Sequence, residues 1–314
     1  MITFLGDVAL LTGDFSSDYK ITENPYVINL EYVTGKNRYT PVDGKINLYS
    51  PNCNLENVFG QNPKAAVIAN NHTFDFGEQG FSQTLKTLQE KGICTVGDKM
   101  CWISPDVCLL AYSLVGGAQE CAFRKDRVLA DINEARKKGA KKIIVNVHWG
   151  IENHPNMNKT QREIGHWLID NDVDFVIGHH PHCIQPIELY CGRYICYSLG
   201  NCVFSNFSVK SHYSEGKPTR TYRFKWQWWN RKSIAVNYDE STGEITIDEL
   251  YTKKSNLICK RYNAELKRYQ GIRCKLFADI IYKFRKYYLF FSSNSLVDGK
   301  LFDFSAIKAE VVKK

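Results

Sequence analysis

Phe175-Val176-Ile177-Gly178-His179-His180-Pro181-His182 is a short apolar run that breaks off into a glycine and three imidazoles. Such a run, bounded by turn-forming residues, reads as a buried strand, and its abrupt change to polar residues marks where the strand ends. The same pattern recurs along the chain. Ile2–Leu5 leads into Gly6-Asp7, Ala65–Ala69 into Asn70-Asn71-His72, and Lys142–Val147 into His148-Trp149-Gly150. Val107–Tyr112 and Arg193–Tyr197 are further apolar runs, and amphipathic stretches at Glu78–Glu90, Asp126–Lys138 and Lys159–Asn171 read as helices between them. Strands alternating with helices predict an α/β domain over residues 1–207, with polar residues gathered at the edge where strands end and ligands bind.

The composition agrees with a folded chain: 314 residues, 44% apolar and 24% charged, exclude a disordered polyelectrolyte. Lys and Arg outnumber Asp and Glu by 41 to 33, which favours anionic small molecules, polymers or lipid surfaces as partners. No arginine-rich run accompanies a nucleic-acid fold signature, so nucleic acid is not an expected partner. Eleven scattered cysteines, an odd number, do not read as a disulfide framework, and Cys94, Cys108 and Cys196 in apolar runs read as small buried hydrophobes. With no secretory pattern at Met1–Asp7 and no apolar stretch of spanning length, the expectation is a reducing, cytoplasmic location, with peripheral membrane contact as an option.

Beyond Phe207 the pattern changes, so residues 208–314 are read as an extension of strands and a basic amphipathic helix packed on the core. Ser208–Lys217 reads as a polar loop, and Thr219–Trp228, Ser233–Tyr238 and Glu244–Leu250 as strands. From about 256 to 291 the spacing of Leu266, Tyr269, Leu276, Ile280, Phe284 and Tyr287 predicts a helix. Its apolar stripe either packs on the body with Lys and Arg in water, or rests on anionic lipid.

Asp, Glu, Asn and His at strand ends suit a borderline divalent cation, which takes oxygen and imidazole ligands together. His180 and His182, in an extended segment, project to the same side and address one site. Each element alone has a plainer reading. Gly6-Asp7 makes a turn, Glu31 is a surface acid, Asn71 and Asp75 cap a helix, and His148 is a structural histidine. His154, His166 and His212 have no such context.

Taken in order, Phe4-Leu-Gly-Asp7, Asn29-Leu-Glu31, Ala69-Asn-Asn-His72 with Asp75 and Gly77, His148-Trp-Gly150 with Glu152, Gly178-His-His-Pro-His182 and Tyr197-Ser-Leu-Gly-Asn201 resemble the CapA-type capsule and poly-γ-glutamate biosynthesis family. That family belongs to the calcineurin-like metallophosphoesterase superfamily. The resemblance implies a four-layer α/β sandwich, two central mixed sheets flanked by helices, holding one or two divalent metal ions, Mn, Fe or Zn. It implies Asp7, Glu31, Asn71, His148, His180 and His182 as ligands, with Glu31 as the bridge. His72 would assist the departing group, forming the catalytic set with Asp7 and His148, while Glu152 and Asn201 contact substrate and His179 has no metal role. The superfamily's Asp-x-His opening is here Asp7-Val8-Ala9, and its second aspartate is Glu31.

A soluble metallohydrolase acting on phosphoesters in capsule, exopolysaccharide or polyglutamate metabolism follows from that resemblance. Its rivals are amide-bond chemistry on a γ-glutamyl polymer, and a non-catalytic metal-containing partner of a polymer synthase, docking around Lys225-Trp226-Gln227-Trp228-Trp229.

Overall fold

Ile143, Val145 and Val147 turn to one side of their strand and Ile144 to the other, and both sides meet apolar neighbours. A strand covered on both faces must lie inside the protein, which is why Lys142–Val147 reads as a near-continuous hydrophobic run. The computed structural model describes residues 1–11, 14–21, 23–116, 121–204, 206–214, 217–254, 256–261, 265–271 and 275–292. It is a mixed α/β fold with two main sheets and several helices.

The first sheet runs Ser16–Ser17, Leu257–Arg261, Ile245–Thr252, Lys232–Tyr238, Ile2–Ala9, Tyr26–Leu30, Ala65–Val67 and Cys94–Val96, and Asn201–Phe204 also pairs with Ile2–Ala9. The second runs Ile187–Tyr190, Arg193–Cys196, Phe175–His179, Lys142–His148, Val107–Ser113 and Cys101–Ser104. Phe4, Val27 and Val67 of the first sheet share one core cluster with Leu109, Ile144 and Phe175 of the second, so the two sheets pack on each other. On the far side of the first sheet, Ile28 and Leu30 pack with Leu55, Phe59 and Leu88 of the helices Leu55–Phe59 and Gly77–Glu90. On the far side of the second, Val145 and Val176 pack with Val128 and Ile132 of Lys125–Lys137 and Leu168 of Lys159–Asp170.

The parallel pairs decide where chemistry can happen. Ile2–Ala9, Tyr26–Leu30 and Ala65–Val67 are mutually parallel, as are Val107–Ser113, Lys142–His148, Phe175–His179 and Arg193–Cys196, so within each set all C-terminal ends share one edge.

Several expectations are corrected. Ser208–Lys217 is no loop: Phe207–Ser214 and Lys217–Phe224 form an antiparallel hairpin, whose ladder is made by backbone groups that a polar sequence leaves available. Leu257–Arg261 is a strand rather than the start of a helix, because the edge of Ile245–Thr252 supplies hydrogen bonds that a helical turn would have to make locally. The terminal helix is Lys275–Ser292. Strands beyond residue 207 are built into the first sheet, where Lys232–Tyr238 pairs directly with Ile2–Ala9. Cys94 is half-buried and joined to Cys101 by a disulfide, not a lone buried hydrophobe. No described helix is long and apolar enough to cross a membrane.

Candidate metal centre

Gly6 and Asp7 interrupt the register of the first strand, with irregularities recorded against both Tyr26–Leu30 and Asn201–Phe204. A bulge re-aims a side chain at a strand end, and here it delivers the fully buried Asp7 carboxylate to the rim shared by the two sheets. The Asp7 amide donates to Gly200 O at 2.9 Å, and Asp7 lies in register with Asn29 on one side and Asn201 on the other.

Asn29 is the connector that the sequence did not announce. It occupies an apolar strand two residues before Glu31 and therefore points the same way. Its Nδ2 donates to Asp7 Oδ1 at 3.0 Å and Glu31 Oε1 at 2.9 Å, and faces His148 Nδ1 at 3.4 Å. Asn70 Nδ2 in turn donates to Asn29 Oδ1 at 3.3 Å and to Leu30 O at 2.8 Å.

From the second sheet, His148 donates through Nε2 to Asn71 Oδ1 at 2.8 Å and places Nδ1 3.7 Å from Glu31 Oε1. His179, given no metal role above, donates through Nδ1 to Asp7 Oδ1 at 3.0 Å and so orients that carboxylate. The His180 ring lies tilted against that of His148 with centroids 4.8 Å apart, and its backbone N–H reaches toward Asp7 Oδ2. His182 donates through Nδ1 to Asn201 Oδ1 at 2.9 Å, with Asp7 Oδ2 at 3.4 Å, and turns Nε2 to Glu31 Oε2 at 3.7 Å. The two imidazoles converge, though not by strand alternation. The strand ends at His179, and His180 and His182 both have left-handed backbones, φ +97° and +53°, a conformation that bulky residues adopt only when their surroundings impose it.

His72 stands at the edge of this group. Its Nδ1 donates to Asp75 Oδ2 at 2.7 Å, and the buried Asp75 also accepts from Leu48 N and pairs with Lys45. Asp75 thus anchors a histidine and the Lys45–Leu48 segment rather than capping a helix, since Gly77–Glu90 opens without a side-chain cap hydrogen bond. Glu152 is exposed, yet a carboxylate oxygen can be grouped with ring nitrogens of His180 and His182, all within 4.8 Å of one another. Asp7, Glu31 and His182 form a second such group. Asp7, Glu31, Asn71, His148, His180, His182, Asn201 and Glu152 are thus linked to one another around one rim, and His72 adjoins it through its neighbour Asn71.

Burial and close neighbours shift the ionisable groups there in opposite directions. Burial alone would raise the Asp7 pKa, but hydrogen bonds and charge from His179 and His182 hold it well below the usual carboxylate range. Burial and the neighbouring Asp7 charge push Glu31 well above its ordinary value. His148 is held well below the usual imidazole range by burial and by His180, and burial lowers His180 to about 4. His182 goes the other way: although burial opposes its charge, Glu31 and Asp7 raise it to about 10.

The family model described as "Bacterial capsule synthesis protein PGA_cap" matches residues 20–100 and 110–206, more than half of the chain. The chain belongs to that family. The matched span carries Glu31, Asn71, His72, His148, Glu152, His180, His182 and Asn201, while Asp7 precedes it and joins the site by geometry alone. The chain is 27% identical over 245 residues to the capsule biosynthesis protein CapA of Bacillus anthracis, covering 65% of this chain and 59% of that protein. It is 31% identical over 193 residues to the PGA biosynthesis protein CapA of Bacillus subtilis (strain 168), covering 55% and 50%. A "probable polyglutamine synthesis accessory protein" of Mycobacterium tuberculosis is 28% identical over 182 residues, 48% of each chain. This chain spans about half the length of the curated relatives it matches.

Proposed function

We propose that this chain is a metal-dependent hydrolase of the phosphoesterase type, acting on an anionic small molecule or polymer in capsule, exopolysaccharide or poly-γ-glutamate metabolism. The observation that carries the reading is the set of ligand-capable atoms of Asp7, Glu31 and His182 within 4.8 Å of one another. Glu31 Oε2 and His180 Nδ1 lie buried there with no hydrogen-bond partner. A buried carboxylate oxygen and ring nitrogen left unpaired are costly, and a divalent cation is a partner that accepts both. Two sheets packed face to face with helices outside support the metallophosphoesterase-type sandwich.

The residues fit one or two ions of the Mn, Fe or Zn kind. Asp7, Glu31, Asn71, His148, His180 and His182 would hold them, with Glu152 at the open side. Such an ion, when bound, makes a water molecule acidic and neutralises a phosphate-like anion. The protein does the rest. Asn29 keeps Asp7 and Glu31 at a fixed separation by donating to both, His179 fixes the rotamer of Asp7, and Asn201 fixes that of His182. His72, held at Nδ1 by Asp75, presents Nε2 as the atom that gives or takes a proton at the leaving oxygen.

A second reading is favoured by the relatives being named biosynthesis and synthesis accessory proteins: a non-catalytic accessory of a polymer synthase, in which the metal supports the fold. Purified protein supplied with Mn, assayed on aryl phosphate monoesters and diesters and on a γ-glutamyl polymer, separates these readings. Phosphate release that disappears in Asp7→Ala, with the fold intact by circular dichroism, is the expected result. Polymer cleavage without phosphate release assigns amide chemistry. Inactivity on all substrates, with synthase co-purification unchanged by His182→Ala, overturns the hydrolase reading.

A further inference from the structure

On the helix Lys275–Ser292 the described side chain that is fully buried is the small Ala278. Its large apolar residues face water: Leu276 is 70% exposed, Phe277 57%, Ile280 55%, Phe284 62% and Tyr287 64%. At 3.6 residues per turn these positions fall within an arc of about 100°, a continuous stripe rather than scattered residues. The packed-stripe reading of the sequence holds for Leu266 and Tyr269, which pack on the core, and is reversed on Lys275–Ser292, where the apolar side is outermost.

The inner side explains how the helix is held. Asp279 Oδ1 lies 3.3 Å from His154 Nε2, the Tyr282 ring packs 5.1 Å from the His154 ring, and Arg285 donates to Asn153 O at 3.0 Å while lying over Trp229. Asp279 is the single acidic residue from Lys275 to Ser292; it lies on the lysine side of the helix, half-exposed, and is paired with His154. Lys275, Lys283 and Lys286 are exposed along one side of the stripe. At the same end of the fold, Trp228 is 60% exposed with Lys232 over its ring, and Trp229 touches Tyr288 of the helix edge to face.

We propose that the outward face of Lys275–Ser292 is a docking surface for an anionic lipid bilayer. An apolar stripe bordered by lysines, with an exposed tryptophan beside it, is the pattern of a helix lying in the interface plane: rings and aliphatic chains enter the acyl boundary and ammonium groups meet anionic headgroups. A second copy of the chain fits less well, because the one acidic residue of the helix, Asp279, is already paired with His154 and the lysines outnumber it. The helix is fastened through Asn153 and His154, adjacent to Glu152, so docking holds the rim of the candidate metal centre beside the lipid surface. The inference is independent of whether that centre is catalytic.

The test is co-sedimentation of the full chain with vesicles of phosphatidylcholine alone or mixed with phosphatidylglycerol, at low and high salt. The expected result is binding that requires phosphatidylglycerol, weakens with salt and blue-shifts tryptophan emission. Ile280→Glu with Phe284→Glu, both at exposed positions, lowers the partition coefficient about tenfold or more with the thermal midpoint unchanged, and Lys283→Glu with Lys286→Glu weakens the phosphatidylglycerol-dependent part. Absence of wild-type binding, or binding indifferent to Ile280→Glu with Phe284→Glu, overturns the proposal. So does a concentration-dependent dimer abolished by the same pair without lipid binding, which assigns the face to a second copy.

Discussion

Gly6 backs onto Gly200 so closely that a Cβ at Gly6 would fall 1.9 Å from Gly200 O. That carbonyl accepts the Asp7 amide at 2.9 Å, so the close approach of two backbones sets where the Asp7 carboxylate stands. Gly6→Ala forces Asn201–Phe204 away from Ile2–Ala9. The expected cost is about 2 kcal/mol or more, the range for overpacking against rigid neighbours. Gly271→Ala, whose Cβ meets nothing within 4 Å, is the control and changes stability by less than about 0.5 kcal/mol. Urea unfolding of both variants checks the contrast.

Asn29 holds two buried carboxylates apart by donating to each. Asn29→Leu removes both hydrogen bonds and strips Glu31 Oε1 of its donor, while Asp7 Oδ1 keeps that of His179, at a cost of about 1–3 kcal/mol. Because a cation relieves the same repulsion, the loss in thermal midpoint is expected to shrink when Mn is added. An equal loss with and without Mn would show that Asn29 acts on packing alone.

Glu188, away from the metal centre, predicts a pH dependence. Burial favours its neutral form, but hydrogen bonds from Tyr197 Oη at 2.7 Å and His166 Nε2 at 3.1 Å, with the charge of Arg162, hold its pKa below the ordinary 4.5. A carboxylate depressed by folding adds stability that is complete above the unfolded value and fades as pH falls through the folded one. Glu188→Gln should therefore be less stable than wild type at neutral pH, with the gap closing below pH 4.5. Melting curves from pH 7 down to 3 measure it, and a constant gap would exclude the ionised carboxylate as the cause.

His72 donates to Asp75 and is not among the grouped ligand atoms. His72→Asn should lower kcat by about 10²–10⁴-fold, the usual contribution of a positioned proton donor, while bound metal stays unchanged. Loss of metal in step with activity would make His72 a ligand. Asp75→Asn, a positioning change, should shift the pH profile and lower kcat less.

Much of this architecture is legible in residues. Lys142–His148 and Phe175–His179 announce themselves because both faces are buried and the runs stay apolar to their polar ends. Tyr26–Leu30 does not: it is five residues long with an amide at Asn29, so Glu31 reads as a surface acid until the parallel pairing with Ile2–Ala9 buries it. Leu257–Arg261 was hidden by a helix-like spacing further along, and its strand exists through the neighbour that sheet topology supplies. His180 and His182 were legible as a pair, but their left-handed backbones depend on contacts with Asp7 and Asn201, far away in sequence. The outward turn of Leu276 and Phe284 depends on which side of the helix meets His154, a tertiary choice that periodicity leaves open.

The central claim is that Asp7, Glu31 and His182, drawn from distant strands, grip one divalent cation. Elemental analysis of the purified full chain beside Asp7→Asn and His182→Ala tests it most directly. The account predicts a stoichiometric transition metal in the wild type, retained through gel filtration and lost from both folded variants. A wild-type chain that neither carries nor takes up Mn, Fe or Zn, or variants that keep the wild-type content, would contradict it.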